Sequence, residues 1–243
     1  MKNVSRSGRG FAATLHRPPR YETYETISMY YEMAANDHGL PHDPLKALVA
    51  PRPIGWISSI SADGIPNLAP YSFFNLLATS PAIVGFSSGM RKDSQNNIEE
   101  TGEFVYNFAS VDLIDAVNIS SSHVASTVNE FELAGVTAVA STCIKAPRVA
   151  EAHAHLECEY LQTVELPHVS GKEIPWSLIL GRVVAVHIDD AFIKDGVVDT
   201  VGMQPLTRMG YMDYGVLSHK ITKERPEEIG NMDLSGLAEQ LAK

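Results

Sequence analysis

Cysteine is scarce: Cys143 and Cys158 are the only two in 243 residues. Two thiols do not make a disulfide framework, so stapled secreted folds are excluded and a reducing, cytoplasmic compartment is expected. Long apolar runs are missing too. No stretch approaches the roughly 18 apolar residues of a membrane-spanning helix. The N-terminal "MKNVSRSGRGFAATLHRPPRYETYE" has no apolar signal-peptide core; its Arg and Ser content suits either a transit sequence or a partner-wrapping arm, and the arm is favoured. Basic residues are outnumbered, with 19 Lys and Arg against 29 Asp and Glu, a net charge of −10. Such a chain repels phosphate backbones and anionic lipid, so neither nucleic acid nor membrane is an expected partner. An anionic ligand would need a local basic pocket.

Several motifs are absent. "GMRKDS" lacks the second glycine and the Gly-Lys-Ser/Thr order of a Walker loop, and no G-x-G-x-x-G follows a strand. No nucleophile and base are spaced as a catalytic pair. His153, His155 and Glu157 fall on one face of a strand, but no further Cys or His pair completes a zinc set, so no metal is expected. The sequons at Asn3 and Asn118 carry no weight without a secretory signal.

What the chain does have is strand. Prolines at 41, 44, 51 and 53 exclude a long helix before "IGWISSISADG", which reads as a strand ending in an Asp63-Gly64 turn. "IPNLAPYSFFNLLA" follows as one irregular strand, placed at a sheet edge or bulge by Pro66 and Pro70, which cannot donate to a ladder. "SPAIVGFSSGM", "EFVYNFAS", "HAHLECEYLQTVEL" and "WSLILGRVVAVHIDD" are further strands, and "AFIKDGVVDT" is a short turn-linked pair. Helical signals are few. "RKDSQNNIEETG" reads as a helix capped by Asp93 or Ser94 and closed by Gly102. "VDLIDAVNISSS" has helical apolar spacing. Short-spaced turns and no alternating βαβ pattern argue for a mainly β, antiparallel barrel with a few peripheral helices.

Two stretches bear chemistry. In "SSGMRKDSQNN", Ser87 and Ser88 end a strand, Arg91 and Lys92 bring charge, and Ser94 lies in the first turn of a helix whose free N–H groups suit an anion. A solvated loop with a capped helix would read the same way. In "APYSFFN", strict alternation puts Tyr71, Phe73 and Asn75 on one face, and Ser72 and Phe74 on the other. A flat ring with polar edges could use the exposed backbone and an aromatic neighbour there; aromatic core is the plainer fate of these rings.

In this order, "APRPIGWISSISADGIPNLAPYSFFN", "SPAIVGFSS" and "RKDSQNNIEETGEFVYNF" closely resemble the flavin reductase-like, FMN-binding split-barrel family. "AHLECEY", "LILGRVVAVHID" and "PLTRMGYMDYG" continue the match over about residues 40 to 215. The resemblance implies a six-stranded antiparallel Greek-key split barrel over 41–220, paired as a homodimer with FMN near the interface. Residues 1–40 would form an arm packing across the dimer, and 221–243 a tail. It implies flavin contacts at Ser72 and Asn75, a ring wall at Tyr71 and Phe73, and phosphate-side contacts at Ser87, Ser88, Arg91, Lys92 and Ser94. Arg208 and Tyr214 would reach the cofactor from the C-terminal segment. The implied activity is hydride transfer from NADH or NADPH to FMN, with electrons passing to a separate monooxygenase component or another acceptor. One departure stands out. Where many members carry Gly-Asp-His beside the nicotinamide, this chain has Trp176 in "IPW", and His168, earlier in that loop, is the candidate substitute. Trp176 keeps a second reading open: an FMN-binding electron carrier without a nicotinamide site.

Overall fold

The computed structural model of the chain describes residues 29–167 and 174–223. Contacts divide it at Pro41–His42. Before that point, Glu32 O closes a turn by accepting from Ala35 N and Asn36 N, and Tyr31 meets His38 edge-on at 5.2 Å. Among the described residues, no helix is long and apolar enough to cross a membrane, and no cluster of three or more His, Cys, Asp or Glu is arranged to hold a metal.

From His42 onward the chain is mainly β. Seven strands form one antiparallel sheet: β1 Gly55–Ile60, β2 Pro66–Tyr71, β3 Phe74–Thr79, β4 Ala82–Gly89, β5 Glu103–Phe108, β6 Ala154–Leu166 and β7 Trp176–Ile188. Their spatial order is β2-β1-β5-β6-β7-β4-β3. Four short helices lie around it: α1 Leu45–Leu48, α2 Asp93–Thr101, α3 Ile114–Ile119 and α4 Glu130–Ala134. A small sheet joins Arg52–Pro53, Leu206–Arg208 and Tyr214–Val216.

The large sheet has seven strands where six were expected, because "IPNLAPYSFFNLLA" is two strands. The chain breaks at Ser72-Phe73, and β2 and β3 lie on opposite edges of the sheet. In a flat sheet those edges would be about 29 Å apart, at about 4.8 Å per strand spacing. Three Cα–Cα steps span at most about 11 Å. The sheet must therefore roll until its edges approach each other at this corner. Phe73 O accepts from Ser87 N at 2.8 Å, which ties the corner to β4. Pro66 and Pro70 do sit on an edge strand, where their missing N–H groups break no ladder.

Burial follows from the roll. β1 is covered on both faces: Trp56 and Leu68 join Val117 and Phe131 under α3 and α4, while Ile57 joins Phe74, Phe86, Phe104 and Ile179 on the other face with Ile98 of α2. Each of these fully buried side chains contributes about 1.5–3 kcal/mol of transfer free energy. Gly55 is required at its place: a Cβ there would stand 2.6 Å from the Phe74 ring, which stacks on Tyr106 at 4.7 Å.

Candidate functional site

The start of α2 is built differently from the sequence expectation. Neither Asp93 nor Ser94 caps it. Lys92 occupies the N-cap with extended backbone and no side-chain cap, so the first-turn N–H groups stay open. Ser94 Oγ instead donates to Asn67 Oδ1 on β2 at 2.8 Å. Gly102 does close the helix, left-handed at φ 78°, with its N–H on Ile98 O at 2.9 Å.

A cavity of about 370 Å³ opens in front of this helix end. One wall is β2, through Asn67, Ala69, Pro70 and Tyr71. A second is the segment Arg91–Ser94. The third is Ser120–Val124 after α3, with Glu130 of α4. Four residues singled out from the sequence thus meet here: Tyr71, Arg91, Lys92 and Ser94.

Tyr71 is not a wall of exposed ring. Its ring is buried against Phe86 at 4.5 Å. The break at Ser72-Phe73 interrupts strand alternation, so Tyr71 and Phe74 are buried while Phe73 and Asn75 are exposed. The Tyr71 hydroxyl is buried without a hydrogen-bond partner. Burial pushes its pKa up to about 12, against the nearby Ser94 and Ser88 hydroxyls; those two direct their protons to Asn67 Oδ1 and Met90 O. Lys92 Nζ lies 5.9 Å from the Tyr71 ring centroid. Arg91 is less available than its position in the motif suggests. Its Nε donates to Asn96 Oδ1 at 2.6 Å and its guanidinium pairs with Glu99.

The sequence reading missed the polar network behind these groups. Asn67 Oδ1 accepts from both Ser59 Oγ (3.1 Å) and Ser94 Oγ, and Asn67 Nδ2 donates to Glu130 Oε2 at 2.6 Å. Glu130 Oε2 also accepts from Leu68 N at 2.9 Å. Burial holds the Glu130 pKa above the usual carboxylate range, with the Asp93 charge adding to it and the Leu68 and Asn67 donors opposing. Ser120 is fixed from the core side: Trp56 Nε1 donates to its Oγ at 2.9 Å.

The other singled-out residues lie outside the cavity. Ser72 and Phe73 form the corner, where Phe73 meets Trp176 edge-on at 5.3 Å and has the Arg52 guanidinium 5.7 Å from its centroid. Asn75 is exposed and accepts from Leu76 N through Oδ1. Ser87 and Ser88 are on β4, Ser88 beside the Tyr71 hydroxyl. Arg208 and Tyr214 face each other across the small sheet, with Arg208 Cζ 4.6 Å from the Tyr214 ring, and Arg208 donates to Asp213 O and Tyr211 O. His168 lies outside the described residues.

The sequence profile described as "Flavin reductase like domain" matches residues 48–205. The chain belongs to this flavin reductase-like family. Membership places it among flavin-linked oxidoreductases. An uncharacterised protein of Halalkalibacterium halodurans is 33% identical over 183 residues, covering 73% of this chain and 87% of that one. Another, from Aquifex aeolicus, is 35% identical over 169 residues, covering 67% and 83%. Among solved structures, nitrilotriacetate monooxygenase component B from Bacillus cereus is similar at 29% identity and a TM-score of 0.68, over 74% of this chain and 91% of that one. The fold is also that of a 2-nitrobenzoate 2-nitroreductase from Pseudomonas fluorescens, with a TM-score of 0.71 at 23% identity over 84% of this chain and all of that one. The cavity of this flavin reductase-like chain fits a phosphate ester on its own chemistry: an open helix N-terminus, a lysine, and a wall at Tyr71, whose buried hydroxyl makes no hydrogen bond.

Proposed function

We propose that the chain is an FMN-binding flavin reductase, moving a hydride from NADH or NADPH to FMN and passing electrons to an oxygenase component or another acceptor. The observation that carries this reading is the convergence of Lys92, the uncapped start of α2 and Tyr71 on one cavity. The similarity to a monooxygenase component B supports the oxygenase as acceptor.

The flavin, when bound, supplies the two-electron chemistry. The chain's residues bind, orient and exclude water. Lys92, the first-turn N–H groups of α2 and the Tyr71 O–H would hold the phosphate, with Ser94 alongside and Ser88 behind the Tyr71 hydroxyl. The Ser72-Phe73 corner and Asn75 would contact the ring, and Arg208 with Tyr214 would reach it from the C-terminal segment. A hydride step needs alignment of two rings rather than an acid or base, and good alignment is worth about 7–11 kcal/mol of barrier. The homodimer belongs to the same proposal, with the arm before residue 41 packing across it. Leu76 and Leu77, both 52% exposed on edge strand β3 beside Asn75, provide apolar surface for the partner.

The second reading, an electron carrier without a nicotinamide site, is favoured by Trp176. Its indole stands against Phe73 and within 3.0 Å of where a Cβ on Gly89 would be, filling the place that the family resemblance gives to a histidine. Anaerobic mixing of the flavin-loaded protein with NADH and NADPH separates the two. Bleaching of the band near about 450 nm is expected for the reductase; a band that persists with both nucleotides selects the carrier.

The phosphate assignment has its own test. Lys92→Ala should weaken FMN binding about tenfold (about 1.4 kcal/mol), more at low salt than at high. Arg91→Ala should do less, because Arg91 is already paired with Glu99. Unchanged FMN affinity in the double variant would place the phosphate elsewhere.

A further inference from the structure

The cavity holds an acid that anion binding alone leaves without a role. Glu130 is only 6% exposed and lines the cavity. Oε2 takes both of its donors, Asn67 Nδ2 and Leu68 N. Besides these two, the carboxyl is met only by the backbone N–H of Glu130 itself among the described residues. No cation pairs with the carboxyl. Of the basic side chains in the cavity, Arg91 is committed to Glu99, and Lys92 lies over the Tyr71 ring. Asp93 lines the same cavity. A phosphate dianion entering here would meet two carboxylates in a partly desolvated space, where like charges repel far more than in water.

We propose that the phosphate ester enters this cavity together with one proton, which the Glu130 carboxyl takes up. The inference rests on reading the cavity as the site of the flavin phosphate. Protonation turns Glu130 from a repelling charge into a neutral hydroxyl donor while Oε2 keeps both of its bonds. It also leaves the relay intact: Glu130 holds Asn67, and Asn67 holds Ser94 at the helix start through the 2.6 Å and 2.8 Å bonds. Burial already disfavours the charged carboxylate, and a bound dianion adds to that preference. The titratable and charged groups facing Glu130 are Tyr71 of β2, Arg91, Lys92 and Asp93 at the start of α2, and His123 after α3. On its own helix, Glu132 is held by Asn129 Nδ2, and Asp115 of α3 is exposed.

The test measures FMN and riboflavin binding to the flavin-free full-length chain by quenching of flavin fluorescence. It runs above about pH 7, where a phosphate monoester is mainly dianionic. Wild type should lose FMN affinity as pH rises, with a slope approaching tenfold per pH unit for uptake of one proton. Riboflavin, which lacks the phosphate, should bind with a flat profile. Glu130→Gln keeps the acceptor for Leu68 N and Asn67; it should bind FMN with a flat profile and severalfold more tightly than wild type near pH 8.5. His123→Gln should keep the wild-type slope. Calorimetry in two buffers of different ionisation enthalpy should give close to one proton taken up per FMN by wild type. The proposal is overturned if wild type takes up no proton, a result that depends on no variant folding. It is equally overturned if E130Q keeps the slope, or if H123Q loses it. Failure of the underlying reading looks different: Lys92→Ala would then bind FMN as wild type does, whatever E130Q shows.

Discussion

Tyr71 has a ring wedged against Phe86 in the core and a hydroxyl that makes no hydrogen bond, although the Ser88 and Ser94 oxygens lie near it. Removing that hydroxyl therefore takes no bond from the free protein, and leaving it buried and unpaired already costs about 1–3 kcal/mol. Tyr71→Phe should hold or raise the melting temperature of the flavin-free chain while weakening FMN binding three- to tenfold. Equal loss of stability and of affinity would mean that the hydroxyl serves packing alone. His155 gives a pH dependence that is independent of the cavity. It is buried, its Nε2 meets Val149 O at 2.7 Å, and burial lowers its pKa from 6.5 to about 4. Between those values the unfolded chain binds the proton that the folded chain refuses, so stability should fall as pH drops from about 6.5 toward 4. Urea unfolding across this range should show the slope in wild type and a shallower one in His155→Gln.

At the scale of elements, much of the fold was legible in the sequence. Apolar alternation and the Asp63-Gly64 turn located the β1–β2 hairpin, and β6 and β7 run within a residue or two of the expected bounds. The break between β2 and β3 was not legible, because the prolines mark an edge strand without saying that the next residues belong to the opposite edge. The same gap explains the site. Lys92 and Ser94 share a short motif with the helix start, so local reading found them. Glu130 lies 63 residues from Asn67, and "NEFELAG" reads only as a capped helix start. Arg91 reads as available because its partner, Glu99, lies eight residues on, inside α2, while Arg91 precedes that helix. The segment 141–147, for which no motif spoke, hangs on two strand carboxylates. Thr142 N and Cys143 N donate to Glu157, and Lys145 N and Ala146 N donate to Glu103. Burial would raise the Glu157 pKa, but the two N–H groups and His187 hold it below the usual carboxylate range. Glu157→Ala should cost about 3 kcal/mol and speed amide exchange in 141–147, while exchange in α2 stays unchanged. Unaltered exchange in that segment would show that its anchor is elsewhere.

For the whole molecule, acidic charge and a small basic notch belong together. A net charge of −10 keeps nonspecific polyanions away, and only a site with its own lysine and helix end can attract a phosphate. The proposed homodimer would draw on exposed apolar surface at β3. The Leu76→Lys, Leu77→Lys double variant should run as a monomer in size-exclusion chromatography with light scattering, and bind flavin more weakly, if β3 carries the dimer contact. A wild-type chain that is already monomeric at micromolar concentration would remove that assignment.

The two-residue hinge between opposite sheet margins makes Ser72 and Phe73 the strap of a rolled sheet. A single proteolytic nick there would sever no ladder, yet it would release the only direct chain link between the two margins. The rolled sheet could then open while every strand kept its neighbours. Such a nicked chain would hold its far-ultraviolet signature and let its coenzyme drift out, separating the integrity of the wall from its closure.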